Sequence, residues 1–269
     1  MIIDGRAIAG EMLASVRKDI ETRGQSVVVR AVVMQPSPAT KSYLLIKQER
    51  ARQAGMTLDV VTLADTATQT EVHEAITAEG ADAVIVQLPL PPHIDTPQAL
   101  SYIPLPNDAD VLSPDAYSAF EKSEEDALLP PVVGAVAEIL TRTATKVLGK
   151  NVCVIGEGKL VGKPVATWFL AQGALISVIT RTQGNLALLK DADIIVSGAG
   201  QANLITPELL REGVVLIDAG TSESNGALSG DAHPLCSQVA SVFTPVPGGV
   251  GPIAVACLFK NVERLVRIT

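Results

Sequence analysis

A run of β-branched residues that feeds a glycine-rich turn and then a proline constrains this chain more than any other feature. The run is Asn151-Val152-Cys153-Val154-Ile155, and it enters Gly156-Glu157-Gly158-Lys159-Leu160-Val161-Gly162-Lys163-Pro164. The apolar segment reads as a buried strand. Pro164 suits the first turn of a helix, because the N–H it lacks would be unpaired there anyway. Strand, glycine turn and helix start together predict a dinucleotide site, with Gly156, Glu157, Gly158 and Gly162 as its residues. The glycines let backbone approach a pyrophosphate, and the helix end presents N–H donors. The spacing is G-x-G-x-x-x-G, one residue longer than the common fingerprint.

The same alternation runs through the rest of the chain. Asp4 is placed to cap a helix that reaches about Ile20, with Ile8, Met12, Val16 and Ile20 on one stripe. Val27–Met34, Leu58–Leu63 and Ala83–Gln87 read as strands. A helix carrying Tyr43 and Lys47 stops at Gly55, and a shorter one over Glu71–Ala78 is closed by Gly80. Beyond the glycine turn, Ala174–Thr180, Asp193–Ser197 and Val214–Asp218 are further strands. Strands alternating with helices predict an α/β fold built from parallel βαβ units. Aromatics are only 3% of the chain, and Ala, Val, Ile and Leu dominate, which suits parallel sheets covered on both faces.

Residues 104 to 131 are spaced by prolines and acidic. They read as loop plus linker, with little regular structure before Ala116–Phe120 and a boundary near residues 120 to 130. Two domains follow: residues 1–125, completed by a C-terminal helix over 253–269, and a Rossmann-type doubly wound domain over 126–252, with a cleft between them. A net charge of −8 argues against general nucleic-acid or anionic-membrane binding. Cys153, Cys236 and Cys257 form no CxxC pair, so neither a disulfide framework nor a zinc or other metal site is indicated. The first residues lack the layout of a signal peptide, and no apolar run approaches a membrane span, so a cytoplasmic protein is expected.

Several residues are candidates for chemistry. Tyr43 and Lys47 are four apart on one helix face. A lysine beside an aromatic ring and shielded from water loses its proton more easily and can pass protons at neutral pH. Taken alone, most such lysines are merely solvated. Gln87 ends a strand just before Leu88-Pro89-Leu90-Pro91-Pro92, and ligands collect at strand carboxyl ends in open α/β sheets. Asp108 and Asp110 open the proline-spaced stretch, where most aspartates are turn formers or caps. Thr180-Arg181-Thr182 stands where an NAD site carries a ribose-binding carboxylate. Arg181 there suits the extra phosphate of NADP, whereas Glu157 would repel it. The expected cofactor is NADP, with NAD as the alternative. Ser197-Gly198-Ala199-Gly200 and Asp218-Ala219-Gly220 leave room for a flat cofactor near the backbone.

Three stretches together resemble one family. They are Val86-Gln87-Leu88-Pro89-Leu90-Pro91, Gly162-Lys163-Pro164 and Thr244-Pro245-Val246-Pro247-Gly248-Gly249-Val250-Gly251-Pro252. They are similar to the signatures of the bifunctional methylenetetrahydrofolate dehydrogenase/cyclohydrolases of the FolD type, and the likeness covers nearly the whole chain. The resemblance implies oxidation of 5,10-methylene-tetrahydrofolate by NAD(P)+ and hydrolysis of the methenyl product to 10-formyl-tetrahydrofolate, within one-carbon metabolism and purine biosynthesis. It implies that Lys47 assists proton transfer, Gln87 orients Lys47, and Tyr43 stacks on the folate. It further implies that Asp110 bonds the pterin amino edge, and that Gly248, Gly249 and Pro252 shape the wall where nicotinamide meets folate. A folate-binding first domain and a homodimer through the second are likewise implied.

The chain departs from that pattern in three places. Asp110-Val111-Leu112-Ser113 stands for Asp-Gly-Phe-His, Leu129-Pro130-Pro131-Val132 for Pro-Cys-Thr-Pro, and Gly156-Glu157-Gly158 for a Gly-Arg-Ser turn. A dehydrogenase without the hydrolytic step, and a folate- or nucleotide-binding protein without turnover, are the alternatives.

Overall fold

The computed structural model describes all residues except Gln35, Ser37, Arg181, Gln183, Asn225, Gly226 and Thr269. The chain divides into two compact units. The first comprises residues 10–131 with 255–269, and the second residues 1–9 with 132–254.

The first unit holds a three-stranded parallel sheet. Its strands are β1 (Val27–Met34), β2 (Met56–Leu63) and β3 (Ala83–Val86), in the order β2-β1-β3. β1 is central, and all of it but Val28 is buried, as suits a largely apolar strand covered on both faces; its one charged residue, Arg30, donates to Ala78 O and Glu79 O. The N-terminal helix α1 (Gly5–Arg23) starts where Asp4 accepts the N–H groups of Arg6 and Ala7, at 3.1 and 3.0 Å. Helix α2 (Pro38–Gln53) lies between β1 and β2, and Gly55 follows it at φ +76°. α3 (Gln69–Thr77) opens on a capping box between Thr68 and Glu71. Val32, Met34, Val72, Ile76, Val84 and Val86 form the core beside them. The N–H of Gln87 still donates to Val32 O at 2.9 Å, and the cis Leu88–Pro89 bond follows.

The regular structure expected at about Ala116–Phe120 within the 104–131 stretch is present and starts earlier than expected. A helix α4 (Thr96–Ser101) precedes the stretch, a single 3-10 turn covers Leu105–Asn107, and α5 (Pro114–Glu121) begins at the proline itself. Asp95 and Ser113 cap α4 and α5. The prolines lie in first turns, where the missing N–H costs nothing, so they start helices instead of preventing them.

The second unit holds β4 (Asn151–Ile155), β5 (Leu175–Ile179), β6 (Ile194–Ser197), β7 (Val215–Asp218) and β10 (Val242–Phe243). A short antiparallel hairpin, β8 (Ser222–Ser224) with β9 (Ala227–Ser229), lies between β7 and β10 in sequence. The five-stranded sheet is parallel and ordered β10-β7-β6-β4-β5. From β4 the chain moves outward to β5, then returns to the other side of β4 for β6. That reversal is a topological switch point, and doubly wound sheets bind ligands there, outside the strand carboxyl ends. α6 (Pro131–Arg142) leads into this unit, and α7 (Gly162–Ala171) follows the glycine turn, ending before Gly173 at φ +76°. Ile155, Ile179, Leu189, Ile195, Leu216 and Phe243 build its core.

The last helix, α8 (Val250–Ile268), begins three residues earlier than its apolar pattern indicates. Gly251 and Pro252 fall in its first turn, which tolerates both. Residues 255–269 cluster with the first unit, as the expected return of this helix requires. No helix among the described residues is long and apolar enough to cross a membrane.

Candidate functional site

In the first unit, α2 sets Tyr43 and Lys47 one turn apart, and the Lys47 ammonium lies 5.1 Å from the Tyr43 ring centroid. The end of β3 brings Gln87 to the same place. Lys47 Nζ donates to Gln87 Oε1 at 3.1 Å, while Gln87 Nε2 donates to Leu88 O at 2.9 Å. The second bond fixes which end of the amide meets the lysine. Lys47 is only 6% exposed. Burial pulls its pKa below the ordinary lysine value, and the nearby Asp110 carboxylate pushes back in the other direction. Asp110 is half-buried; burial raises its pKa, Lys47 lowers it, and Asp108 raises it again. The Tyr43 phenol is held above its usual value by burial and then by Asp110, although the residue remains 42% exposed. This is one tuned amine, one acceptor that orients it, one carboxylate and one accessible ring.

Asp108 is different. It is fully buried, and its carboxylate accepts the N–H groups of Leu112 and Ser113, the latter at 2.7 Å. It builds the turn before α5, the ordinary role of an aspartate there. Within that turn Val111 holds φ +57° with its side chain buried. A β-branched residue in this left-handed region costs about 1–2 kcal/mol, so a glycine is the natural occupant of the position after Asp110.

In the second unit, a cavity of about 510 Å³ opens at the switch point. Its walls are Gly156, Glu157 and Gly158 after β4, Ile179 and Thr180 after β5, and Gly198, Ala199 and Gln201 after β6, with Gly184, Leu186 and Leu204 beyond. Gly156 sits at φ +100°, and a Cβ there would come within 2.8 Å of Gly198 O. A Cβ on Gly162 would overlap the Gly156 carbonyl. One on Gly198 would come within 2.5 Å of Val161. Three glycines therefore keep this cradle open against backbone and side chain alike. It fits a dinucleotide, whose pyrophosphate needs close approach to bare backbone at the start of a helix.

Gly162 is buried beneath the turn and supports it. Ser197 does not line the cavity: it is fully buried, and its hydroxyl donates to Asp231 at 2.6 Å. Arg181 lies outside the described residues. Ala199, Gln201 and Leu204 were missed by sequence reasoning, although Ala199 lies in the small-residue run already noted. Gly248, Gly249 and Pro252 belong to this second unit as well. Gly248, at φ +108°, accepts the Gly5 N–H at 2.9 Å, and Gly249 donates to Pro245 O at 2.8 Å. A Cβ on Gly5 would overlap Gly249 O, a close approach with no signature in the N-terminal sequence.

Comparison with known proteins agrees with both halves of this geometry. The model of the tetrahydrofolate dehydrogenase/cyclohydrolase catalytic domain matches residues 3–110, and that of the same family's NAD(P)-binding domain matches residues 130–268. The bifunctional protein FolD of Lactobacillus acidophilus is 35% identical over 275 residues, covering 99% of this chain and 97% of that protein. The bifunctional enzyme FolD of Campylobacter jejuni superposes with a TM-score of 0.95 at 28% identity, covering 100% of this chain and 99% of the other. The Trypanosoma brucei methylenetetrahydrofolate dehydrogenase-cyclohydrolase, solved with NADP and an inhibitor, gives a TM-score of 0.92 at 30% identity, covering 100% and 98%. Two domain models, matched one after the other along the chain, and relatives matched over nearly its full length show the same thing: the chain belongs to the tetrahydrofolate dehydrogenase/cyclohydrolase family.

Proposed function

We propose that the chain oxidises 5,10-methylene-tetrahydrofolate to 5,10-methenyl-tetrahydrofolate with NADP+ and hydrolyses that product to 10-formyl-tetrahydrofolate. The observation that carries the hydrolytic half is the buried Lys47 ammonium bonded to Gln87, with its pKa pulled down by burial. Once neutral, its amine has a lone pair for a proton from the attacking water. Addition of that water to the methenyl cation releases one proton overall, and Lys47 is the group that receives it. Gln87 holds the amine by accepting one of its N–H bonds, which aims the lone pair. Asp110 keeps a negative charge near Lys47 and accepts from the amino edge of the pterin. The accessible Tyr43 ring stacks on the folate. Gly248, Gly249 and Pro252 are the remaining substrate-binding positions.

Gly156, Glu157, Gly158, Gly162, Thr180 and Gly198 would hold the dinucleotide, with Arg181 toward the 2′-phosphate. Bound NADP+ supplies the oxidising ring, and the chain's own task is to align it and exclude water. Residues 1–125 with 253–269 form the folate domain in this reading, and residues 126–252 the nucleotide domain. A cytoplasmic homodimer that feeds formyl groups to purine biosynthesis completes it.

The test is the initial rate of reduced-dinucleotide formation from methylene-tetrahydrofolate, with NADP+ and NAD+ in separate assays. The reading expects NADP+ to be faster. A strong preference for NAD+ would mean that Glu157 governs the choice, and no turnover with either would overturn the reading.

A further inference from the structure

Asp231 is the most heavily bonded acid in the second unit, and neither motif nor resemblance pointed to it. It is 0% exposed, and the donors that its carboxylate accepts are uncharged. Its Oδ2 accepts Ser197 Oγ at 2.6 Å, Ala199 N at 2.8 Å and Gly200 N at 3.3 Å. Its Oδ1 accepts Gln201 N at 2.7 Å. Four donors from five consecutive residues therefore converge on one carboxylate. A buried carboxylate is tolerated when several N–H groups satisfy it, and bonds to an ionised acceptor are about twice as strong as neutral ones.

Those five residues are the last of β6 and the loop that follows it, and three of them wall the nucleotide cavity. Gly198, Ala199 and Gln201 line it, facing the glycine turn after β4. Gly198 N donates to Ile155 O at 2.8 Å, so the two walls are joined at their base. Asp231 is in turn anchored behind the loop. Its own carbonyl accepts Ile205 N at 2.9 Å, and Gly220 packs so close that a Cβ there would overlap the carboxylate. The carboxylate is thus packed against Gly220, and among the described residues it is the acceptor for the Ala199, Gly200 and Gln201 N–H groups.

We propose that Asp231 is a positioning residue of the dinucleotide site, a built-in anion around which the Ser197–Gln201 loop folds to give the cavity its width. It touches no dinucleotide itself. The proposal rests on the reading that this cavity takes NADP+, and it predicts a specific split. Loss of the carboxylate weakens dinucleotide binding, whereas hydrolysis of methenyl-tetrahydrofolate, which uses no dinucleotide and depends on Lys47 in the other unit, is spared.

The experiment is calorimetric titration of NADP+ into wild type and Asp231→Asn, with methenyl-tetrahydrofolate hydrolysis measured on the same preparations. The amide keeps the size of the acid but replaces one of its two acceptor oxygens with an NH2 donor, so at least one of the converging donors loses its acceptor. We expect Kd to rise at least tenfold, with hydrolysis within twofold of wild type. An unchanged Kd would overturn the proposal. Should Asp231→Asn fail to fold, Ser197→Ala decides, since it removes one donor without placing a new group against the carboxylate. It is expected to weaken Kd about threefold, and an unchanged value would again overturn the proposal. A wild type that binds neither NADP+ nor NAD+ would instead overturn the underlying cofactor reading, and the proposal with it.

Discussion

The two units solve two problems by opposite means. In the proposed reading the first concentrates function in side chains: Lys47, Gln87, Tyr43 and Asp110 are few and titratable or polar, and they lie close together. The second achieves function by leaving side chains out. Gly156, Gly162 and Gly198 keep a cradle open, and glycine stands at four of the positions that line the cavity. Proton transfer needs one group with a tuned pKa, and burial is the tool that tunes it. Holding a pyrophosphate needs many N–H groups at close range, which only missing Cβ atoms permit. The lesson is that loss of a functional group should damage the first unit's task, and gain of a methyl the second's.

The largest effect that could break this contrast is at Lys47. Lys47→Met keeps the length and apolar stem and removes the amine. Hydrolysis of methenyl-tetrahydrofolate is expected to fall about 10²–10⁴-fold, the usual worth of a positioned acid–base group. The NADP+ dissociation constant, read by titration, should not change. Equal hydrolysis in the two proteins would remove Lys47 from the chemistry and leave only a dehydrogenase.

Gly162→Ala makes the converse test. Its Cβ would overlap the Gly156 carbonyl, which is backbone and cannot swing aside. Thermal unfolding should show destabilisation of about 1–3 kcal/mol, the typical cost of overpacking, together with weakened NADP+ binding. Hydrolysis below the melting temperature should persist. Normal stability and binding in this variant would show that the cradle is looser than the glycine geometry states.

The smallest expected effect sharpens the first unit alone. Gln87→Leu removes the acceptor that orients Lys47 without removing the amine. A lost bond to a charged group is worth about 1.5–3 kcal/mol, so hydrolysis should drop roughly 10- to 150-fold, less than the Lys47→Met loss measured alongside it. The pH profile of the residual rate should also move. A variant as slow as Lys47→Met would mean that Gln87 takes part in the chemistry directly.

Much of this was legible in the sequence, for identifiable reasons. β1 and β4 match their expected bounds because short runs rich in Val and Ile, bounded by turn residues, favour strands. Tyr43 and Lys47 were readable because helix periodicity fixes which residues share a face, and Gln87 because prolines end its strand. The misses are equally physical. Pro114 was read as part of a proline-spaced loop when it begins a helix. Val250–Pro252 were read as loop for the same reason. Ser197 was expected at the cofactor because small residues follow a strand there, yet its hydroxyl is turned inward to an acid 34 residues away. Asp231 itself was invisible, since a carboxylate that satisfies a distant loop leaves no local pattern.

Everything assigned to the first unit depends on Lys47 losing its proton more readily than a lysine in water. The direct measurement is a titration of the Lys47 Nζ resonance by nitrogen-detected NMR on selectively labelled protein. The account predicts a midpoint below the ordinary lysine value, because burial outweighs the opposing charge of Asp110. A midpoint at or above that value would contradict it, because the amine would then stay charged and could not take the proton from water.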